Sequence, residues 1–165
     1  MRVFIERMSG TESYFSRETL LEMAAEVEKA AEKFYTVLAD RFPEHVETLR
    51  QLARDEVRHA ETYVNLLRRK GVISTGEDRR RAEQHLKALE SLGILTFLRK
   101  GEEAASKVKS WDEAAELALR LEKETLLFYQ NLTLFLGKED RREVYKIMDT
   151  EYTHLLIVSR LRESV

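Results

Sequence analysis

Acidic residues occupy four positions where the helical hydrophobic pattern calls for apolar side chains. Each lies in a stripe of apolar residues spaced three and four apart, the spacing that lines one face of a helix. Two of these acids also precede a histidine by three positions. Together these residues are Glu28, Glu56, His59, Glu122, Glu151 and His154. Burying four carboxylates together is costly unless positive charge compensates them, and no Lys or Arg lies on the stripes, so the pattern predicts bound metal.

The second half of the chain repeats the arrangement of the first. Each half has a stripe glutamate followed by the tyrosine of a Phe-Tyr pair (Tyr35 and Tyr129), and then a Glu-x-x-His pair. Neither half can enclose a site alone, as expected of a repeat unit. A Glu from each of two helices plus Glu-x-x-His from each of the other two is the ligand set of di-iron and di-manganese carboxylate centres. Each tyrosine is either a core aromatic bonded to a site carboxylate or a participant in redox chemistry.

These residue types suit a pair of metal ions. Four carboxylates can neutralise the four positive charges of two divalent ions in a core of low dielectric constant. Two of the carboxylates can bridge the ions, two can bind terminally, and one imidazole can cap each ion, which leaves positions where O₂ or peroxide could bind. The alternative interpretation is a buried polar network that satisfies itself without metal.

Four long helices are needed to position these residues, and the sequence marks their ends. The first is predicted to begin near Ser16 and to end before Pro43, which suits the opening position of the second. The second is predicted to run to Lys70, with Gly71 as its stop. The third is predicted to open with a capping box formed by Ser110 and Glu113.

Gly137 is predicted to close the third helix, and Asp140 to begin a fourth that runs nearly to the end. Residues 72–110 are predicted to hold short helical pieces near 77–91, 94–100 and 102–108, broken by glycines. Their apolar residues (Ile94, Leu95, Phe97 and Leu98) pack either on the outside of the bundle or at a subunit interface. The predicted fold is all-α, a ferritin-like four-helix bundle with one long crossover between the second and third long helices. A single domain spans 1–165, with an N-terminal segment 1–15, hairpins 16–71 and 111–165, and the crossover 72–110.

Composition excludes several classes of function. The 28 basic and 30 acidic residues leave a net charge of −2, which does not favour nucleic acid or an anionic membrane as a partner. No cysteine is present, so the chain holds no disulfide, zinc-thiolate site, iron–sulfur cluster or Cys₄ iron centre. The apolar run Val3-Phe4-Ile5 is too short for a secretory signal, and a cytoplasmic protein is expected.

The pattern Glu-Lys-x₅-Tyr in helices one and three, with Glu-x-x-His in helices two and four, resembles the rubrerythrin branch of the ferritin-like superfamily over about residues 16–163. The resemblance implies that the six residues of the stripes bind two iron ions, with manganese or zinc as alternatives. In related bacterioferritins, the acid just before a Glu-x-x-His orients the imidazole of the opposite hairpin. By that resemblance Asp55 supports His154, and Thr150 holds the equivalent position for His59.

Two departures from the family pattern bear on function. Classical rubrerythrin peroxidases have an extra glutamate three residues after the third-helix ligand, where this chain has Thr125. They also carry a rubredoxin-like domain, which needs cysteines. The resemblance therefore implies an oxidoreductase that reduces hydrogen peroxide or dioxygen with electrons from a separate donor, such as rubredoxin or a flavoprotein. The alternatives are a ferroxidase for iron storage or detoxification and a non-enzymatic helical interaction module with a structural metal site. A homo-oligomer, expected to be a dimer, fits the first.

Overall fold

The computed structural model describes residues 15–164, so the predicted N-terminal segment, apart from Phe15, and Val165 lie outside the described residues. Within 15–164 the chain forms seven α-helices and one 3₁₀ turn at Pro43–His45. The helices are α1 (Arg17–Arg41), α2 (Val46–Leu67), α3 (Gly76–Ser91), α4 (Ile94–Leu98), α5 (Gly101–Lys107), α6 (Trp111–Phe135) and α7 (Lys138–Glu163).

The four long helices pair as two hairpins, α1 with α2 and α6 with α7, and the hairpins pack against each other around one core. The prediction of an all-α, ferritin-like bundle is confirmed. The largest side chains at the centre are fully buried aromatics, among them Phe34, Tyr63 and Phe128. Among residues 15–164, no helix is long and apolar enough to cross a membrane.

Serine side chains cap the first helix of each hairpin. Ser16 accepts a hydrogen bond from the Thr19 amide at 3.1 Å, and the Thr19 hydroxyl accepts one from the Ser16 amide, which completes a capping box. Ser110 likewise accepts from the Glu113 amide at 3.2 Å. The predicted capping box would also have the Glu113 carboxylate accept from the Ser110 amide. It accepts from the amide of Lys109 instead, at 2.7 Å.

The predicted end of the second helix was wrong by one turn. The helix ends at Leu67 rather than Lys70, and Gly71 lies in the connection that follows. A Cβ atom at Gly71 would lie 2.2 Å from Arg17 Nε, so glycine is needed there for close approach and not as a helix stop. Pro43 opens the short 3₁₀ turn that leads into α2, in keeping with its fixed backbone angle.

The predicted start of the fourth helix was also wrong. Gly137 caps α7, which begins at Lys138, and Asp140 already lies inside the first turn. The Gly137 amide donates to the Val72 carbonyl at 2.8 Å, and a Cβ at Gly137 would lie 2.7 Å from that oxygen. The buried carboxylate of Asp140 pairs with Arg17 of α1, with Nε 2.6 Å from Oδ2. This tertiary ion pair, rather than a role at the start of the helix, explains the place of Asp140.

The crossover helices pack on the outside of the bundle, α3 and α4 against α6 and α5 against α1. Four apolar residues of this segment were predicted to pack either on the bundle or at a subunit interface. Leu95 and Leu98 are buried, and Ile94 and Phe97 are partly buried against the core. Phe97 also lies beneath the guanidinium of Arg120, 3.9 Å from its ring centroid. Intramolecular packing therefore accounts for this segment.

Candidate metal centre

The six acidic and histidine residues of the stripes meet in the middle of the bundle. Glu28 lies on α1, Glu56 and His59 on α2, Glu122 on α6, and Glu151 and His154 on α7. All six are buried, and the four carboxylates are each only 1% exposed. Their convergence follows from the helical period, because each lies on the core-facing stripe of its own helix.

The six residues divide into two overlapping groups, each able to hold one metal ion. One group is Glu28, Glu56, His59 and Glu151, and the other is Glu56, Glu122, Glu151 and His154. Within each group the ligand atoms lie within 4.8 Å of one another. Glu56 and Glu151 belong to both groups, so these two carboxylates can bridge two ions while Glu28 and Glu122 serve one ion each.

The two imidazoles present equivalent nitrogens to the carboxylates. His59 Nδ1 lies 2.9 Å from Glu151, 3.1 Å from Glu56 and 3.4 Å from Glu28. His154 Nδ1 lies 3.2 Å from both Glu56 and Glu151. The two rings stack with their centroids 5.6 Å apart. In each Glu-x-x-His pair, the three-residue spacing on a helix brings the carboxylate and the ring side by side.

Burial, neighbouring charges and hydrogen bonds shift the pKa values of the site residues in the protein without metal. Burial raises the pKa of Glu28 and of Glu122 well above the usual range, and the charges of Glu151 and Glu56 raise both further. Burial lowers the pKa of His154, but hydrogen bonds to Glu151 and Glu56 outweigh it and bring the pKa to about 10. For Glu151, hydrogen bonds from both histidines overcome the effect of burial and lower the pKa to about 2.

The chemistry of this donor set fits a pair of divalent cations. Glu28 Oε2, Glu56 Oε1 and Glu151 Oε1 are fully buried, and each faces a histidine Nδ1 at 3.4, 3.2 and 2.9 Å, but these contacts lack the alignment of a regular hydrogen bond within residues 15–164. Buried carboxylate oxygens left this way are rare in folded proteins and call for a partner such as an ion. Four carboxylates and two imidazoles are donors that iron, manganese and zinc all accept.

The family model for Rubrerythrin matches residues 19–162, nearly the whole chain. The chain belongs to the rubrerythrin family. No curated protein and no solved structure matches it significantly. The rubrerythrin match spans all four helices that carry the six residues, which agrees with the resemblance found in the sequence.

Two tyrosines of this rubrerythrin-family site connect the hairpins. Tyr129 on α6 donates a hydrogen bond to Glu28 on α1, and Tyr35 on α1 donates one to Glu122 on α6. All four side chains are buried. Each terminal carboxylate is thus held by a phenol from the opposite hairpin, which fixes its orientation and leaves its second oxygen directed to the site.

Sequence reasoning did not assign Tyr63 to the site, although it lies on the α2 stripe one turn beyond His59. Its side chain is fully buried, and its ring centroid lies 5.4 Å from that of Tyr129. The signal that could have found it is its place on the stripe. The corresponding position of the second hairpin is Val158, so the phenol is present on one side of the site only.

The residues just before the two Glu-x-x-His pairs behave differently. Asp55 Oδ2 lies 3.3 Å from His154 Nε2, and Asp55 Oδ1 accepts hydrogen bonds from Gln51 and Arg58. The Thr150 hydroxyl instead bonds to the Lys146 carbonyl one turn back, at 3.4 Å. The expected pairing of Thr150 with His59 is therefore not found, because a threonine hydroxyl inside a helix readily bonds the carbonyl four residues earlier.

Thr125 and the two remaining histidines differ in how close they lie to the site. Thr125 is buried, 4% exposed, on the same face of α6 as Glu122. The two histidines outside the stripes lie away from the site. His45 stacks on Trp111 with centroids 3.9 Å apart, and exposed His85 lies 2.8 Å from Asn131.

Proposed function

We propose that this rubrerythrin-family chain binds two iron ions between its hairpins and reduces hydrogen peroxide or dioxygen with electrons from a separate donor. The observation that carries the proposal is the pair of overlapping ligand groups sharing Glu56 and Glu151. Shared carboxylates would hold two ions close together, an arrangement suited to supplying the two electrons that reduction of an oxygen–oxygen bond consumes. The same donors also suit manganese and zinc, but zinc has no redox chemistry and would fit only a structural site.

Bound iron would supply the electron transfer to the oxidant, and the protein supplies position, charge and shelter. The four carboxylates would neutralise the charge of two divalent ions, and His59 and His154 would each bind one of them. Tyr35 and Tyr129 hold the terminal carboxylates by hydrogen bonds from the opposite hairpin. Apolar residues above and below on every stripe, such as Leu52 and Leu132, keep bulk water out.

A separate electron donor is part of this proposal. Its sequence contains no cysteine, so a rubredoxin or a flavoprotein is proposed to deliver the electrons from outside this chain. We expect the protein to work in the cytoplasm as a homo-oligomer, most simply a dimer.

A ferroxidase is the second candidate, and Thr125 is the residue that favours it. Its hydroxyl cannot supply the charge of the glutamate that classical rubrerythrin peroxidases have at this place, which leaves a six-ligand set of the kind that ferroxidases use. In that case Fe(II) is the substrate, and the protein serves iron storage or detoxification. A non-enzymatic helical module with a structural metal is the third candidate.

Oxidation kinetics separate the two redox candidates. The chain is loaded anaerobically with two equivalents of Fe(II) and mixed in a stopped-flow instrument with peroxide or with O₂, as wild type and as Thr125→Glu. We expect peroxide to oxidise the iron at least as fast as O₂, and the substitution to raise the peroxide rate. A clearly faster reaction with O₂, unchanged by the substitution, would favour the ferroxidase. Thr125→Val, which adds no charge, is the matched control, and absence of oxidation by either oxidant would leave the structural candidate.

A further inference from the structure

We propose that the two metal positions are unequal, with the position at His154 binding its ion first and more tightly and the position at His59 binding second. This inference rests on the proposed metal centre and goes beyond it, since the repeated sequence by itself suggests two equivalent positions. The difference comes from the outer edge of each imidazole, which faces away from the carboxylates.

The ring of His154 is held from behind by a carboxylate that is itself fixed. Asp55 Oδ2 lies 3.3 Å from His154 Nε2, while Asp55 Oδ1 accepts hydrogen bonds from Gln51 and Arg58. A carboxylate behind a ligand imidazole fixes the ring tautomer, orients the ring and makes its other nitrogen a stronger donor. His154 is also almost fully enclosed, at 1% exposed. Its Nδ1 is therefore presented in a fixed direction to the Glu56, Glu122 and Glu151 group.

The ring of His59 has no such support. No hydrogen-bond partner of its Nε2 is found within residues 15–164, and Thr150, which stands where Asp55 stands in the other hairpin, bonds to Lys146 instead. His59 borders a surface recess of about 350 Å³ between α2 and α7, whose walls also include the carboxylates of Asp55 and Glu143. Asp55 bonds to His154 and Glu143 pairs with Lys146, so neither carboxylate is hydrogen-bonded to His59 as Asp55 is to His154.

Two consequences follow for metal binding. The supported imidazole binds a cation more strongly, because loss of such an outer carboxylate typically lowers metal affinity by about 10- to 100-fold. The recess also gives the His59 position a short path to solvent, so its ion enters and leaves more readily. The first ion repels the second, which increases the difference in affinity between the two binding steps. This repulsion is the same whichever position fills first, so it does not determine the order.

A titration that observes each histidine separately tests the order. Metal-free full-length protein labelled with ¹⁵N-histidine is titrated with Zn²⁺, a diamagnetic probe, and the ring nitrogens are followed by NMR. We expect the His154 signals to shift with the first equivalent and the His59 signals only with the second. Shifts of both rings in parallel, or of His59 first, would overturn the inference while leaving the metal centre intact. Absence of any zinc uptake would instead overturn the proposed metal centre itself.

Exchange of the outer residues tests the cause. Asp55→Asn, which removes only the charge, should weaken the first zinc-binding step by about 10- to 100-fold in calorimetry. Thr150→Asp should strengthen the second step, and Thr150→Asn, of the same shape without charge, should not. Helix content by circular dichroism controls for folding, since both positions lie at the protein surface or near it. Equal second steps in the Asp and Asn variants at position 150 would contradict the proposed cause.

Discussion

Tyr129 on α6 donates a hydrogen bond to Glu28 on α1, so a residue of the second hairpin fixes a carboxylate of the first. Tyr35 and Glu122 make the same contact in the opposite direction. The two bonds join the hairpins at the level of the site and give each terminal carboxylate one satisfied oxygen. Several measurable properties depend on this arrangement.

Removal of the Tyr129 hydroxyl should weaken the fold. In Tyr129→Phe one oxygen of the buried Glu28 loses its donor, and a buried acceptor left without a partner costs about 1–3 kcal/mol. We expect the free energy of unfolding of the metal-free protein, measured by urea denaturation, to fall by that amount. Tyr152→Phe, which removes a hydroxyl from a half-exposed ring on α7, should stay within about 0.5 kcal/mol of wild type. Equal effects of the two substitutions would contradict the role of the bond.

Substitution of the ligands should reduce metal content in a graded way. Glu151 belongs to both ligand groups, so Glu151→Ala should lower occupancy at both positions, whereas His59→Ala should lower it at one. Metal analysis of purified protein measures both. His45→Ala and His85→Ala are the matched controls, because these histidines lie outside both groups. A loss of metal in the controls equal to that in Glu151→Ala would contradict the assignment.

The metal-free protein should lose stability as pH rises from about 5 to about 9. The pKa values of Glu28 and Glu122 lie well above the ordinary 4.5, and that of His154 is about 10 against an ordinary 6.5, so the folded state retains protons that the unfolded state releases. Each rise in pH through this window therefore favours unfolding. Toward pH 2 the sign reverses, because Glu151, with a pKa of about 2, stabilises the fold only while it is ionised.

Urea denaturation of chelator-treated protein across this pH range measures the slope. Glu122→Gln removes one of the titrating groups, so it should flatten the slope by up to about 1.4 kcal/mol per pH unit. Saturating zinc should remove most of the dependence, because bound metal replaces the protons. A free energy of unfolding that stays constant from pH 5 to pH 9 without metal would argue against a strained cluster of buried carboxylates.

The ion pair between Arg17 and Asp140 should matter more for stability than any surface pair. Both side chains are buried, Arg17 also donates to the Leu66 carbonyl at 2.8 Å, and the pair ties the start of α1 to the start of α7. Asp140 raises the pKa of Arg17. Asp140→Leu removes the carboxylate at 2.6 Å and leaves the buried guanidinium with the Leu66 carbonyl and with the exposed Glu18 at 3.6 Å, which should cost up to about 3–5 kcal/mol. The double variant Arg17→Met/Asp140→Leu should recover much of this loss in thermal and urea denaturation, and an additive loss would contradict the coupling.

The site was more predictable from the sequence than the ends of the helices. The burial of Glu28, Glu56, Glu122 and Glu151 follows from helical periodicity alone, since their stripes have one possible inward face. The ends of α2 and α7 do not, because Gly71 and Gly137 are set by contacts with distant residues, the Arg17 side chain and the Val72 backbone. The sequence suggested that these two glycines end helices. In the structure they are needed because other parts of the chain approach their backbone too closely for a side chain.

Contacts around the site show the same limit. The position of Asp55 behind His154 was implied by the resemblance to bacterioferritins, but that resemblance gave no reason to expect that Thr150 would bond its own helix. In the sequence, nothing distinguishes Tyr63 from an ordinary core aromatic of its stripe. Only the three-dimensional arrangement brings its ring beside Tyr129. The hydrophobic pattern of a helix identifies which of its faces points into the core. The side chains that meet across the bundle depend on how the helices pack, which the pattern does not give.

Each ligand group draws residues from both hairpins, with Glu151 of α7 completing the first group and Glu56 of α2 completing the second. Metal can therefore act as a clamp between two pieces of chain that are each half of the molecule. A backbone break in the crossover would leave two helical fragments, neither with a full coordination sphere. Metal would then strengthen the association of the fragments beyond what their shared core supplies, and a chelator would weaken it. The intact crossover keeps the two hairpins at high local concentration, while the shared ligands Glu56 and Glu151 let bound metal link them.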